Sequence, residues 1–172
     1  MRVPVPKTEL KSITNGYLSR RQFVGASSVL ILTAGCATLP KGQRETVLFV
    51  CEFGTAKSVI ARELFRRRAA SRGIAVAAIS RGLVIEDHIT PELRRNLSAD
   101  GIDPNAEPFK VLQPQDWQAA KVVVAFNPLP DTIPKAKVRD WTDVPSVVSK
   151  YPAARAEMDR RIEALLDECA AF

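Results

Sequence analysis

Val47-Leu48-Phe49-Val50-Cys51-Glu52-Phe53-Gly54-Thr55-Ala56-Lys57-Ser58, continued by Val59-Ile60-Ala61-Arg62-Glu63-Leu64-Phe65, is the stretch whose reading decides the fold. An unbroken apolar run ends at a cysteine, a small loop containing glycine follows, and helical spacing begins after Ser58. The run 46–50 reads as a strand buried on both faces, as in a parallel sheet. The segment 58–72 reads as a helix with Ile60, Leu64 and Phe65 inward and Arg62, Arg66 and Arg67 outward. Gly73 stops it. A loop between a strand end and a helix N-terminus turns backbone N–H groups toward its concavity, where the helix dipole is positive, and this suits an anion. The same field favours the thiolate form of Cys51. On this reading a candidate nucleophile faces a candidate phosphate site.

The rest of the chain alternates in the same way. A second strand is expected over 74–80. Thr90 as N-cap and Pro91 at the first position open a helix that runs to Asp100 and ends at Gly101. A short strand is expected over 108–112, a short helix over 115–120, a buried strand over 121–126 and a last strand over 136–141. A long helix over 153–170 carries Ala154, Met158, Ile162, Leu165 and Cys169 on one face. Strands alternating with helices predict an α/β three-layer sandwich with a parallel sheet and helices on both faces. The sheet has four strands, or five if 108–112 joins it. Open sheets of this kind bind ligands at the carboxyl ends of their strands.

Composition narrows the classes. Hydrophobic residues at 46% and charged residues at 26% fit a soluble globular chain. The formal charge of +6 comes mostly from residues 1–37, where Arg2, Lys7, Lys11, Arg20 and Arg21 face only Glu9. The domain itself is near balance, so a nucleic-acid surface is not expected. Cys36, Cys51 and Cys169 are far apart and His88 is the only histidine. This pattern speaks against a metal site and a disulfide framework, and no cofactor is expected.

Ser19-Arg20-Arg21-Gln22-Phe23-Val24-Gly25 resembles the twin-arginine export motif. The apolar run 24–33 behind it is shorter than the roughly 20 residues of a membrane span. Residues 1–37 are thus expected to form a signal peptide, 38–44 a linker and 45–172 the domain. The competing reading is a basic tail before a buried helix. Leu32-Thr33-Ala34-Gly35-Cys36 resembles a bacterial lipobox with Cys36 as lipid acceptor; ordinary cleavage after Ala37 is the equal alternative. Either way the domain is exported, to the periplasm or to the membrane surface as a lipoprotein, and touches membrane only through the signal or a lipid at Cys36.

Residues 45–170 resemble the low-molecular-weight protein tyrosine phosphatases and their arsenate-reductase relatives. The phosphate loop of that family reads Cys, five residues, Arg, then Ser or Thr. The resemblance implies that Cys51 attacks phosphorus, that Glu52, Phe53, Gly54, Thr55, Ala56, Lys57 and Ser58 hold the phosphoryl oxygens, and that Ser58 steadies the thiolate. Lys57 stands where the family has arginine, and an ammonium cannot make the two-bond fork of a guanidinium. Gly54 replaces a bracing asparagine, and Glu52 brings a carboxylate near the anion. Trp141-Thr142-Asp143-Val144-Pro145-Ser146-Val147 resembles the late loop that carries the family's general acid, with Ser146 at the aspartate's place. Asp143, or Asp140, is the remaining candidate acid. Plainer roles stand beside these: Cys51 as a packed hydrophobe, Ser58 as a helix cap, Lys57 as a solvated lysine, Asp143 as a turn residue.

Three functions follow as expectations. The first is a divergent exported phosphatase acting on a phosphomonoester of phosphotyrosine type. The second is a catalytically impaired domain that binds oxyanions or partners on the same scaffold. The third is a phosphocysteine carrier resembling the sugar phosphotransferase IIB subunits. Thioredoxin-coupled arsenate reduction is disfavoured, because no relay cysteine lies between Cys51 and Cys169. The expected ligand is phosphorylated or another oxyanion.

Overall fold

The computed structural model describes residues 44–87 and 89–171. The export and lipidation motifs, including Cys36, and His88 lie outside the described residues. Four parallel strands form one sheet in the order β2-β1-β3-β4. They are β1 (Thr46–Cys51), β2 (Ala77–Gly82), β3 (Val122–Ala125) and β4 (Val138–Asp140). The α-helices are α1 (Lys57–Ser71), α2 (Pro91–Ala99), α3 (Pro114–Ala119) and α4 (Tyr151–Cys169).

Side chains alternate across β1, as strand geometry requires. Val47, Phe49 and Cys51 face a large cluster with residues of α1, α2 and α4. Leu48 and Val50 face a smaller one with Ala120, Val123 and Ile133, against which Trp117 of α3 packs. The continuous apolar run is thus explained: the central strand has a hydrophobic layer on each face. Phe49 meets Phe65 of α1 edge-to-face at 5.7 Å, a favoured aromatic geometry.

Local signals set most boundaries. Helix α1 ends as the sequence predicts: Gly73 has φ +67°, its N–H reaches the Ala70 carbonyl at 3.2 Å, and the Ile74 N–H reaches that of Ala69 at 2.9 Å. This paired closure needs a left-handed residue after the helix. Thr90 caps α2 by accepting from the Leu93 N–H at 3.2 Å.

Three expectations are corrected. Strand β2 is Ala77–Gly82, not 74–80. Ile74 is spent closing α1, and the strand continues through Arg81 and Gly82, whose residue types carry no strand signal. The expected strand at 108–112 is one parallel bridge between Gly82 and Val111, held by Gly82 N–H to the Lys110 carbonyl and Leu112 N–H to the Gly82 carbonyl. The sheet therefore has four strands. Arg62 is not outward: it is 2% exposed, and its Nη1 donates to Ser80 Oγ at 2.9 Å and Glu107 Oε2 at 3.0 Å. Long-range partners, invisible to helical periodicity, draw it inside. Arg66 also reaches β2, with Nε donating to the Ala78 carbonyl at 3.1 Å.

Candidate active site

Cys51 ends the central strand at its carboxyl end, 5% exposed, and α1 begins six residues later. Its Sγ lies 3.1 Å from Ser58 Oγ, and Ser58 is fully buried. The hydroxyl is thus committed to the sulfur in the first turn of the helix; no side chain caps α1.

The loop between them is clamped from two sides. Gly54 has φ +67°, and a Cβ there would stand 2.7 Å from the Gly82 nitrogen and 2.8 Å from its Cα. A Cβ on Gly82 would meet the Gly54 nitrogen at 2.7 Å and the Val84 carbonyl oxygen at 2.2 Å. Two glycines let the loop backbone lie against the end of β2. Hydrogen bonds fix that contact: Leu83 N–H to the Cys51 carbonyl at 3.1 Å, Val84 N–H to the Glu52 carbonyl at 2.9 Å, and Thr55 Oγ1 to the Glu86 carbonyl at 3.0 Å. From the β3 side, Asn127 Oδ1 accepts the Glu52 N–H at 3.0 Å. That amide is consequently engaged by a side chain.

Lys57 opens α1 and turns its ammonium to the late loop, where Nζ donates to the Val144 carbonyl at 2.7 Å. It also lies 5.9 Å from the centroid of the Phe126 ring. Burial lowers the Lys57 pKa below the ordinary lysine value, opposed by the nearby Cys51 and Asp143. An ammonium carries three donors, so one bond to Val144 leaves capacity for an anion.

A cavity of about 320 Å³ opens over the loop. Cys51, Phe53, Thr55, Ala56 and Lys57 line it together with the exposed Glu52, with Asn127 and with Ser146–Val148. The walls are mainly apolar with a few polar groups, the usual character of small-ligand sites. Ser146 borders the cavity, and its Oγ accepts from the Val148 and Ser149 N–H groups at 3.3 and 3.4 Å.

The candidate acids lie elsewhere. Asp143 does not line the cavity. Its two oxygens accept from Arg161 Nη1 and Nη2 at 2.8 and 2.6 Å, and this pairing, led by the Arg161 hydrogen bonds, lowers its pKa from the ordinary aspartate value. Asp140 accepts from the Thr142 N–H at 2.9 Å, which lowers its pKa likewise. Both environments favour the carboxylate, whereas proton donation needs the acid form. Cys169 is buried in the main core, where burial pushes its pKa up to about 11.

Of the residues singled out from sequence, the structure brings Cys51, Ser58, Lys57 and the loop 52–56 together and sets Asp143 apart, on Arg161. No sequence motif marks Asn127 or Val148 as part of the site, whereas Val147 belongs to the late loop that resembles the family's. Asn127 was findable, because it lies just past the carboxyl end of a strand neighbouring β1, where open sheets place ligand contacts.

Residues 46–145 match the low molecular weight phosphotyrosine protein phosphatase family. The chain belongs to this family. The match ends one residue before Ser146, so the Ser146–Val148 wall lies beyond it. A search of curated proteins finds no match. Among solved structures, the low molecular weight protein tyrosine phosphatase of T. tengcongensis is 20% identical, with a TM-score of 0.59 over 72% of this chain and 99% of its own. The YwlE arginine phosphatase of Geobacillus stearothermophilus is 19% identical, with a TM-score of 0.59 over 74% of this chain and 94% of its own. A thioredoxin-dependent arsenate reductase of Corynebacterium glutamicum is 23% identical, with a TM-score of 0.59 over 77% of this chain and 65% of its own. Proteins named for three reactions share this one fold, so the reaction must be argued from the site.

Proposed function

We propose that this low molecular weight phosphatase family member is an exported, divergent phosphomonoesterase acting on phosphotyrosine-like esters. The observation that carries the reading is the 3.1 Å contact between Cys51 Sγ and Ser58 Oγ at the carboxyl end of the central strand. A hydroxyl hydrogen bond stabilises a thiolate, which is the attacking form.

In this reading the Cys51 thiolate attacks phosphorus, a sulfur–phosphorus bond forms, and the ester oxygen leaves with the bonding pair. Water protonates the leaving oxygen, and a second water hydrolyses the phosphocysteine to inorganic phosphate, returning the thiolate. Lys57 neutralises charge on the phosphoryl oxygens. Water is assigned the proton because Asp143 is paired with Arg161. Aryl esters are then the favoured substrates, since a phenolate leaves without full protonation.

The second reading is an oxyanion-binding domain without turnover. The Lys57 bond to Val144 and the Asp143 bond to Arg161 favour it, since both groups are engaged in loop structure. Calorimetry with inorganic phosphate beside an aryl phosphate assay separates the two: binding without turnover supports the second, Cys51-dependent turnover the first. Export by the 1–37 segment, with or without a lipid on Cys36, belongs to the proposal; the mass of the N-terminal peptide from the cell-envelope fraction tests it.

A further inference from the structure

A second cavity, of about 310 Å³, opens at the carboxyl ends of β3 and β4. Asn127 lines this cavity and the one above Cys51, and its Oδ1 is fixed by the Glu52 N–H at 3.0 Å. One immobilised side chain is therefore a common wall. The floor of the second cavity is apolar, with Ile133 buried and Leu129 and Val138 half-buried. Its exposed rim carries the carboxylates of Asp131 and Asp140 against the single ammonium of Lys135. Asp140 Oδ1 accepts from the Thr142 N–H at 2.9 Å, and the Thr142 side chain also bonds this carboxylate, so the turn holds Asp140 at the rim.

Excess negative charge beside an anion site weakens the binding of a bare phosphate dianion. It strengthens the binding of a molecule that presents a cation at the right distance from its phosphate. An apolar floor below an acidic rim matches a side chain with a methylene stem and a cationic tip. We propose that the cavity beside Asn127 is a specificity pocket for the lysine or arginine side chain of a phosphorylated polypeptide whose phosphoryl group sits at Cys51. This rests on the phosphatase-like reading of the first cavity and names its substrate class. Asn127 is common to both cavities, so the pocket is assigned to a residue neighbouring the phosphorylated one. A glutamate at the same position would meet Asp131 and Asp140, which is discrimination by repulsion.

The test uses the full chain with Cys51→Ala, titrated at low salt by calorimetry with three phosphotyrosyl peptides that carry lysine, alanine or glutamate at one neighbouring position. The lysine peptide is expected to bind about five- to tenfold more tightly than the glutamate peptide, the range of two partly exposed charge contacts. The ratio falls toward one when Asp131→Asn and Asp140→Asn are added, and widens with Lys135→Glu. Asparagine keeps the oxygen that accepts from Thr142, so the turn survives the change. Equal affinity for the three peptides, no binding of any of them, or a lysine preference that survives the double substitution would overturn the proposal. Hydrolysis of p-nitrophenyl phosphate by the unaltered chain reports separately on the phosphatase reading; its absence removes that reading while the peptide ratios still decide the pocket.

Discussion

Lys57 Nζ donates to the Val144 carbonyl oxygen at 2.7 Å, so the cation of the anion loop also ties that loop to the segment carrying Asp143 and Ser146. Any anion at Cys51 shares this ammonium with a backbone carbonyl. The pairing trades charge available to a ligand for order in the cavity wall. Lys57→Arg supplies a planar two-bond fork to the anion, with a further N–H for the Val144 carbonyl. Turnover of aryl phosphate is expected to rise at least severalfold in this variant, measured as kcat/KM. Lys57→Met removes the tie as well as the charge, and costs about 1 kcal/mol of stability in urea unfolding, the net worth of one such hydrogen bond.

Lys57 also sets a pH dependence. Burial lowers its pKa below 10.5, so oxyanion affinity is full below the folded pKa and is lost as pH rises through it. For stability the sign is opposite. Between the folded and the unfolded pKa the unfolded chain binds more protons, so stability increases with pH across that window. Phosphate titrations across the alkaline range check the first statement. In Lys57→Arg the alkaline loss of affinity moves out of reach, since guanidinium stays protonated.

The pair Asp143–Arg161 gives a prediction of small effect. A working general acid contributes about a hundredfold or more. Asp143→Asn is expected to change aryl phosphate turnover by less than about threefold, because Arg161 already holds the group ionised. A hundredfold loss in kcat would return Asp143 to the role of proton donor. The folded pKa of Asp143 is lowered, so whatever stability the pair contributes is present above the unfolded aspartate value and lost as pH falls through the folded one.

Gly54 and Gly82 touch backbone to backbone, and substitution at either should show it. Gly54→Ala places a methyl 2.7 Å from the Gly82 nitrogen at φ +67°. Left-handed backbone alone costs about 1–2 kcal/mol for a residue with a Cβ. At Gly73 and Gly101 only that cost applies, since a Cβ there meets nothing within 4 Å or only Arg67 side-chain atoms at 3.8 and 3.9 Å. Urea unfolding should therefore rank Gly54→Ala as more destabilising than Gly73→Ala and Gly101→Ala, and calorimetry should show weakened phosphate binding in the first alone.

How much of this was legible depended on the distance along the chain at which each feature is encoded. Strand β1, helix α1 and its stop at Gly73 are written in consecutive residues: an apolar run, a 3.6-residue period and a glycine. Thr90 and the apolar face of α4 are local in the same sense. The burial of Arg62 is decided by Ser80 and Glu107, 18 and 45 residues away. The Lys57 bond to Val144 spans 87 residues, and the Asn127 bond to Glu52 spans 75. The resemblance of 51–58 to the family's phosphate loop implies that Cys51 and Ser58 are partners, and their Sγ and Oγ lie 3.1 Å apart. Sequence spacing cannot reveal that Gly54 is glycine because Gly82 lies against it.

In the proposed reaction Cys51 is the nucleophile toward phosphorus. The most direct test of that role is hydrolysis of p-nitrophenyl phosphate by the full chain, beside Cys51→Ala and Lys57→Arg. Slow turnover is expected, vanishing in Cys51→Ala and increasing in Lys57→Arg. Turnover that persists unchanged in Cys51→Ala, or an unaltered chain and a Lys57→Arg variant that are both silent, would contradict it.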